Sequence, residues 1–168
     1  MITATKNNNH GFSLIELLVV ITIIGVLSGV GLLAFSNIQA QQQLEKAYIQ
    51  LKTDLNEARE FAFLSKKPTA HGKTAEEVCP NLDGYVFRII DSKTYAVVVK
   101  CGTFFAPIKT VALDAGINIT PNSQEFMFTT LTRATGLDPA LMLTISNNAG
   151  TSKIITIDSA GEIHDVED

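Results

Sequence analysis

The chain opens on a polar stretch, MITATKNNNHG, and then turns apolar. From Leu17 to Phe35 it reads LLVVITIIGVLSGVGLLAF, with no charged residue. Taken back to Phe12, the run has 24 residues and one ionisable group, Glu16. A helix of that length extends about 36 Å, enough for a bilayer core of roughly 30 Å. A soluble domain of this size could hardly bury such a surface on every side. The pattern therefore predicts a membrane-spanning helix over 12–36. A cleaved secretory signal is the alternative, but its apolar region normally runs only about 7–15 residues. The only small-residue site, after Ala40, has Ile38 where a small residue is usual.

Beyond Phe35 the pattern changes period. Asn37 to Lys66 contains neither proline nor glycine. Leu44, Ala47, Leu51, Leu55, Ala58 and Ala62 recur every three or four residues, widened by Tyr48, Phe61 and Leu64. Glu45, Lys52, Asp54, Glu57, Arg59 and Glu60 are assigned to the opposite face. This spacing predicts an amphipathic helix over 37–67 with one buried side. Lys66, Lys67 and Pro68 read as its end signal.

His71 to Asp83 reads as a loop. Short strand candidates follow at Tyr85–Ile90, Tyr95–Lys100, Phe104–Leu113, Ile117–Ile119 and Glu125–Thr129. Leu141–Ser146, Lys153–Asp158 and Glu162–Val166 complete the set. Gly, Asp, Asn and Pro punctuate them at intervals suited to a meander, with hairpin turns at Asn148–Gly150 and Ser159–Gly161. The expected class is α+β: a long helix followed by antiparallel sheet over 68–168, with the helix stripe covering one sheet face.

Composition sharpens this picture by exclusion. A chain of 168 residues, 46% apolar, fits one domain with an extension. Its formal charge of -4 gives no support to a nucleic-acid binder working by bulk charge. From Asp114 onward there are 2 basic and 8 acidic residues, a poor match to phosphate. Cys79 and Cys101 are too few for a four-thiolate zinc site. An oxidising compartment favours their pairing, which would be worth about 3–4 kcal/mol in the loop-entropy account. Two buried free thiols are the alternative. His71 near Glu76 and Glu77, and His164 near the terminus, do not make a metal site. No nucleophile elbow, phosphate loop or cofactor motif occurs, so neither an enzyme nor a cofactor is expected.

Two features inside the apolar run carry chemistry. Gly25 and Gly29 stand four apart, a spacing that lets helices approach closely. Glu16 is a carboxylate that apolar surroundings tolerate only near a boundary or beside a cation. With a single Lys6 ahead of the span and the long remainder behind it, the short end is placed in the cytoplasm.

His10 to Gly25, HGFSLIELLVVITIIG, strongly resembles the processing signature of type IV prepilins and type II secretion pseudopilins. The resemblance implies a leader over 1–11, cut between Gly11 and Phe12 by a prepilin peptidase that also methylates Phe12. It implies that Glu16 pairs with the terminal amine of a neighbouring subunit, supplying the missing cation. The partners it implies are that peptidase/methyltransferase, other major and minor pilins or pseudopilins, an inner-membrane assembly platform and lipid; nucleic acid is not expected as a partner, on the charge balance above. Leu33 stands where many major subunits carry proline, which points to a minor subunit.

Phe126-x-Phe128, Gly136, LMLTI and KIITIDSAGEI resemble the C-terminal pattern of the GspH/FimT class. The resemblance as a whole implies a pilin-like fold and a minor pseudopilin of a type II secretion system. Such a subunit would be single-pass in the bacterial inner membrane, with its β-rich domain in the periplasm. A minor type IV pilin for pilus assembly or DNA uptake is the alternative.

Overall fold

A computed structural model describes residues 13–69, 74–121 and 124–166; the side chains of 28–36 and of residue 76 lie outside the description. The chain divides into two compact units, Met1–Ile38 and Gln39–Asp168.

Helix α1 (Leu14–Phe63) begins where the Ser13 carbonyl accepts the Glu16 and Leu17 amides, at 3.1 and 3.2 Å. It ends in a left-handed cap. Ser65 has φ 48, its amide donates to the Ala62 carbonyl, and the Lys66 amide reaches the Phe61 carbonyl at 3.0 Å. Those paired bonds satisfy carbonyls that a helix end otherwise leaves open. The expected end is thus found slightly early, with Lys66 inside the cap.

The expected transmembrane helix is corrected. Among the described residues, no helix is long and apolar enough to cross a membrane. The described apolar side chains of α1 run from Leu14 to Leu27, about 21 Å of helix against a hydrocarbon core of roughly 30 Å. They include the ionisable Glu16, and by Gln39–Lys46 the helix is predominantly polar. The single-pass inner-membrane placement rested on that helix and falls with it.

The Gln39–Asp168 unit is built on the amphipathic stripe. Leu44, Ala47, Leu51, Leu55, Ala58 and Ala62 are all buried. A four-residue helix, α2 (Ala75–Val78), lies in the expected loop, started by a capping box between Thr74 and Glu77. The strands are β1 (Gly84–Asp91), β2 (Thr94–Cys101), β3 (Phe104–Ala112), β4 (Ile117–Thr120), β5 (Glu125–Thr129), β6 (Leu141–Asn147), β7 (Ser152–Ile157) and β8 (Ile163–Val166). They form two four-stranded sheets, ordered β3-β2-β1-β5 and β4-β6-β7-β8. Every recorded pairing is antiparallel.

This differs from a continuous meander. β5 returns to pair with β1, setting Phe126 opposite Phe87, while β4 leaves β3 and pairs with β6. The reason is the core. Tyr85, Phe87 and Ile89 of β1 and Ile117, Ile119, Leu143, Ile145, Ile155 and Ile157 of the second sheet share one cluster with the α1 stripe. Two sheets covering one helix bury more apolar surface than one sheet could. Cys79, just after α2, is bonded to Cys101 at the end of β2, with their Cα atoms 5.4 Å apart.

Candidate assembly interface

Between Leu14 and Leu27, eleven large apolar side chains are 43–83% exposed. They occupy all but three of the positions 14–27, so they cover the whole circumference of the helix rather than one stripe. Thr22 turns its hydroxyl onto the Val19 carbonyl at 2.8 Å, which removes one polar group from that surface. A Cβ built on Gly25 would meet nothing within 4 Å, so this position is open to a close neighbour. Gly29 lies in the part of α1 whose side-chain surroundings are not described.

Glu16 is exposed in the first turn of α1. A carboxylate there is favoured by the unsatisfied amides of the helix start, typically by about 0.3–1 kcal/mol. Gly11 and Phe12 lie outside the described residues. The described N-terminal segment is therefore an all-round apolar helix with one carboxylate near its start.

The polar groups of the globular unit have a different character. Asp54, expected on the outer face of the helix, is only 1% exposed. Its carboxylate accepts from the Tyr95 hydroxyl at 2.7 Å, Lys109 Nζ at 2.6 Å and Gln50 Nε2 at 2.9 Å. Burial first, and then Asp54, pushes the Tyr95 phenol well above its ordinary value. The signal was in the spacing: position 54 is three after Leu51 and four before Ala58, inside the buried stripe. Lys52–Asp165 at 2.5 Å and Arg59–Glu162 at 3.4 Å tie the polar flank of α1 to the β8 region, and Lys153 pairs with Glu45. These pairs are partly exposed, so each contributes little to stability, about 0–1 kcal/mol. Among the described residues, no group of three His, Cys, Asp or Glu could hold a metal ion.

The fold is type IV pilin-like, a long N-terminal helix packed by its second half against antiparallel sheet, and residues 6–32 match the prokaryotic N-terminal methylation motif. The chain is similar in fold to the crystal structure of the type IV minor pilin FimU of Pseudomonas aeruginosa strain PAO1. The TM-score is 0.50 at 15% identity, over 76% of this chain and 92% of that one. No curated protein sequence matches it.

Proposed function

We propose that this chain is a minor pilin-like subunit of a type IV filament, a member of the pilin/pseudopilin superfamily with a structural role. The observation that carries the reading is the methylation motif over 6–32 on a chain whose fold resembles a minor pilin. That likeness supports the pilus reading over the secretion pseudopilus first expected from the sequence.

In this reading a prepilin peptidase cuts between Gly11 and Phe12 and methylates Phe12. The segment from Phe12 to residue 36 forms the filament-core half of the helix, and residues 37–67 form the half that carries the globular domain. Neighbouring pilin-like subunits then cover the apolar circumference from Leu14 to Leu27. Glu16 pairs with the terminal amine of a neighbour, because a carboxylate inside an apolar bundle needs a matched cation. Gly25 and Gly29 let helices approach closely. An assembly platform and the peptidase/methyltransferase complete the partners.

The test is the mass of the mature chain in cells with an active prepilin peptidase. An N-methylated start at Phe12 is expected. An intact Met1 terminus would contradict the reading.

A further inference from the structure

Two strands of four residues each, β4 and β8, form the edges of the second sheet, and they are held in different ways. β4 turns Ile117 and Ile119 into the core, where both are almost fully buried. β8 turns one apolar side chain inward, Ile163, and that one is only partly buried. Two residues further on, on the same face of the strand, stands Asp165 in place of a second core side chain.

Charge does the holding instead. The Asp165 carboxylate accepts from the Tyr48 hydroxyl and from Lys52 Nζ, both at 2.5 Å. Lys153 of β7 adds a positive charge nearby; it is itself paired with Glu45 and lies 4.6 Å from the centre of the Tyr48 ring. Arg59 of α1 reaches Glu162 at 3.4 Å, and its buried Nε has no hydrogen-bond partner among the described residues. His164, on the other face of β8, lies 3.6 Å from Asp158.

The root of the strand is fixed by other means. The Thr135 and Gly136 amides both donate to the Ser159 carbonyl, at 3.0 and 3.3 Å, and the Thr135 hydroxyl donates to the Asp158 carbonyl at 2.6 Å. Gly161 is buried with φ 77, and a Cβ there would come within 2.0 Å of the Arg133 carbonyl. The turn is thus pinned up to Gly161. From Glu162 onward the chain is held by partly exposed charges, one half-buried isoleucine and a short ladder to β7. Salt weakens exposed charge pairs and leaves buried apolar contacts in place.

We propose that β8 is a detachable strap, which opens from Glu162 onward while the other seven described strands stay folded, and which charge screening shifts toward the open form. An edge strand with few buried contacts is where local opening costs least. Opening uncovers Tyr48 and Lys52 and leaves β7 as the free edge of its sheet, a row of unpaired amides and carbonyls of the kind that accepts an added strand. The inference stands apart from the filament reading, since it uses neither the Gly11 cleavage nor Glu16.

Native-state hydrogen exchange on the full-length chain tests it, with β4 as the internal reference. Between about 0.01 M and about 1 M potassium chloride the Debye length falls from about 30 Å to about 3 Å. Over that range protection in β8 should drop about fivefold, while protection in β4 and β1 holds. The double variant Glu162→Gln, Asp165→Asn keeps the size of both side chains and removes their charge. Its β8 protection should start about fivefold lower at low salt and no longer respond to salt, with β4 protected as in the wild type. Protection of β8 that ignores salt, a fall shared equally by β4 and β1, or a double variant that still responds to salt would each overturn the proposal.

Discussion

Leucines at positions 18 and 51 lie on one helix and live in opposite surroundings. Leu51 is fully buried between the helix and its sheets, while Leu18 is 51% exposed among other exposed apolar groups. The globular unit closes its own core; the Leu14–Leu27 segment leaves its apolar surface open. The same residue type thus serves folding in one region and is available for association in the other. Leu51→Ala should lower the stability of the globular unit by about 2–5 kcal/mol, through lost transfer energy and the cavity left behind. Leu18→Ala should leave that unit's melting temperature unchanged and reduce assembly instead. Equal losses of stability at both positions, measured by thermal unfolding, would erase the contrast.

The next largest effect sharpens the closed side. Replacing Cys79 and Cys101 together by serine should cost about 2–4 kcal/mol. Denaturant unfolding would show a lower midpoint, and an unchanged midpoint would mean that the bond constrains little.

Asp54→Asn probes the buried polar network and should cost about 1–3 kcal/mol, because Lys109 and Tyr95 lose a charged acceptor. It should also lower the Tyr95 pKa while leaving it above 10, since burial is the larger cause of the shift. The sign follows from the raised value. The fold favours the neutral phenol, so this contribution is complete below the unfolded pKa and is lost as pH climbs through the folded one. Tyrosinate absorbance against pH in wild type and variant would read it.

The smallest expected effect is at β8. Lys52 first, then Tyr48, hold the Asp165 carboxyl below its ordinary value. Its contribution is present above the unfolded pKa and is lost as pH falls through the folded one. Amide protection in β8, relative to the intrinsic exchange rate at each pH, should therefore fall in acid before protection in β1 and β2 does. A uniform fall would remove any special role for that pair.

Much of the fold was legible. The eight strands among the described residues lie where Gly, Asp, Asn and Pro punctuate apolar runs, because turn chemistry is local. Their division into two sheets was not, since the return of β5 to β1 is decided by a shared core and by no local signal. Thr74 and Glu77 form a capping box that spacing alone could have identified, yet a single helical turn leaves little periodicity to read. Asp54 was assigned to solvent by its charge, although its phase placed it in the core. Leu131 carries no sequence mark at all; its left-handed backbone is imposed by bonds to Ala62 and Asp83, which are distant in the chain.

In the proposed filament, the open apolar segment assembles through Glu16 while the globular unit folds independently of it. The most direct measurement compares wild type with Glu16→Ala for the amount of chain in the sheared filament fraction and for the melting temperature of the globular unit. Glu16→Ala should be lost from filaments by about tenfold or more, equivalent to about 1.4 kcal/mol, with the melting temperature unchanged. Undiminished incorporation of Glu16→Ala would contradict it.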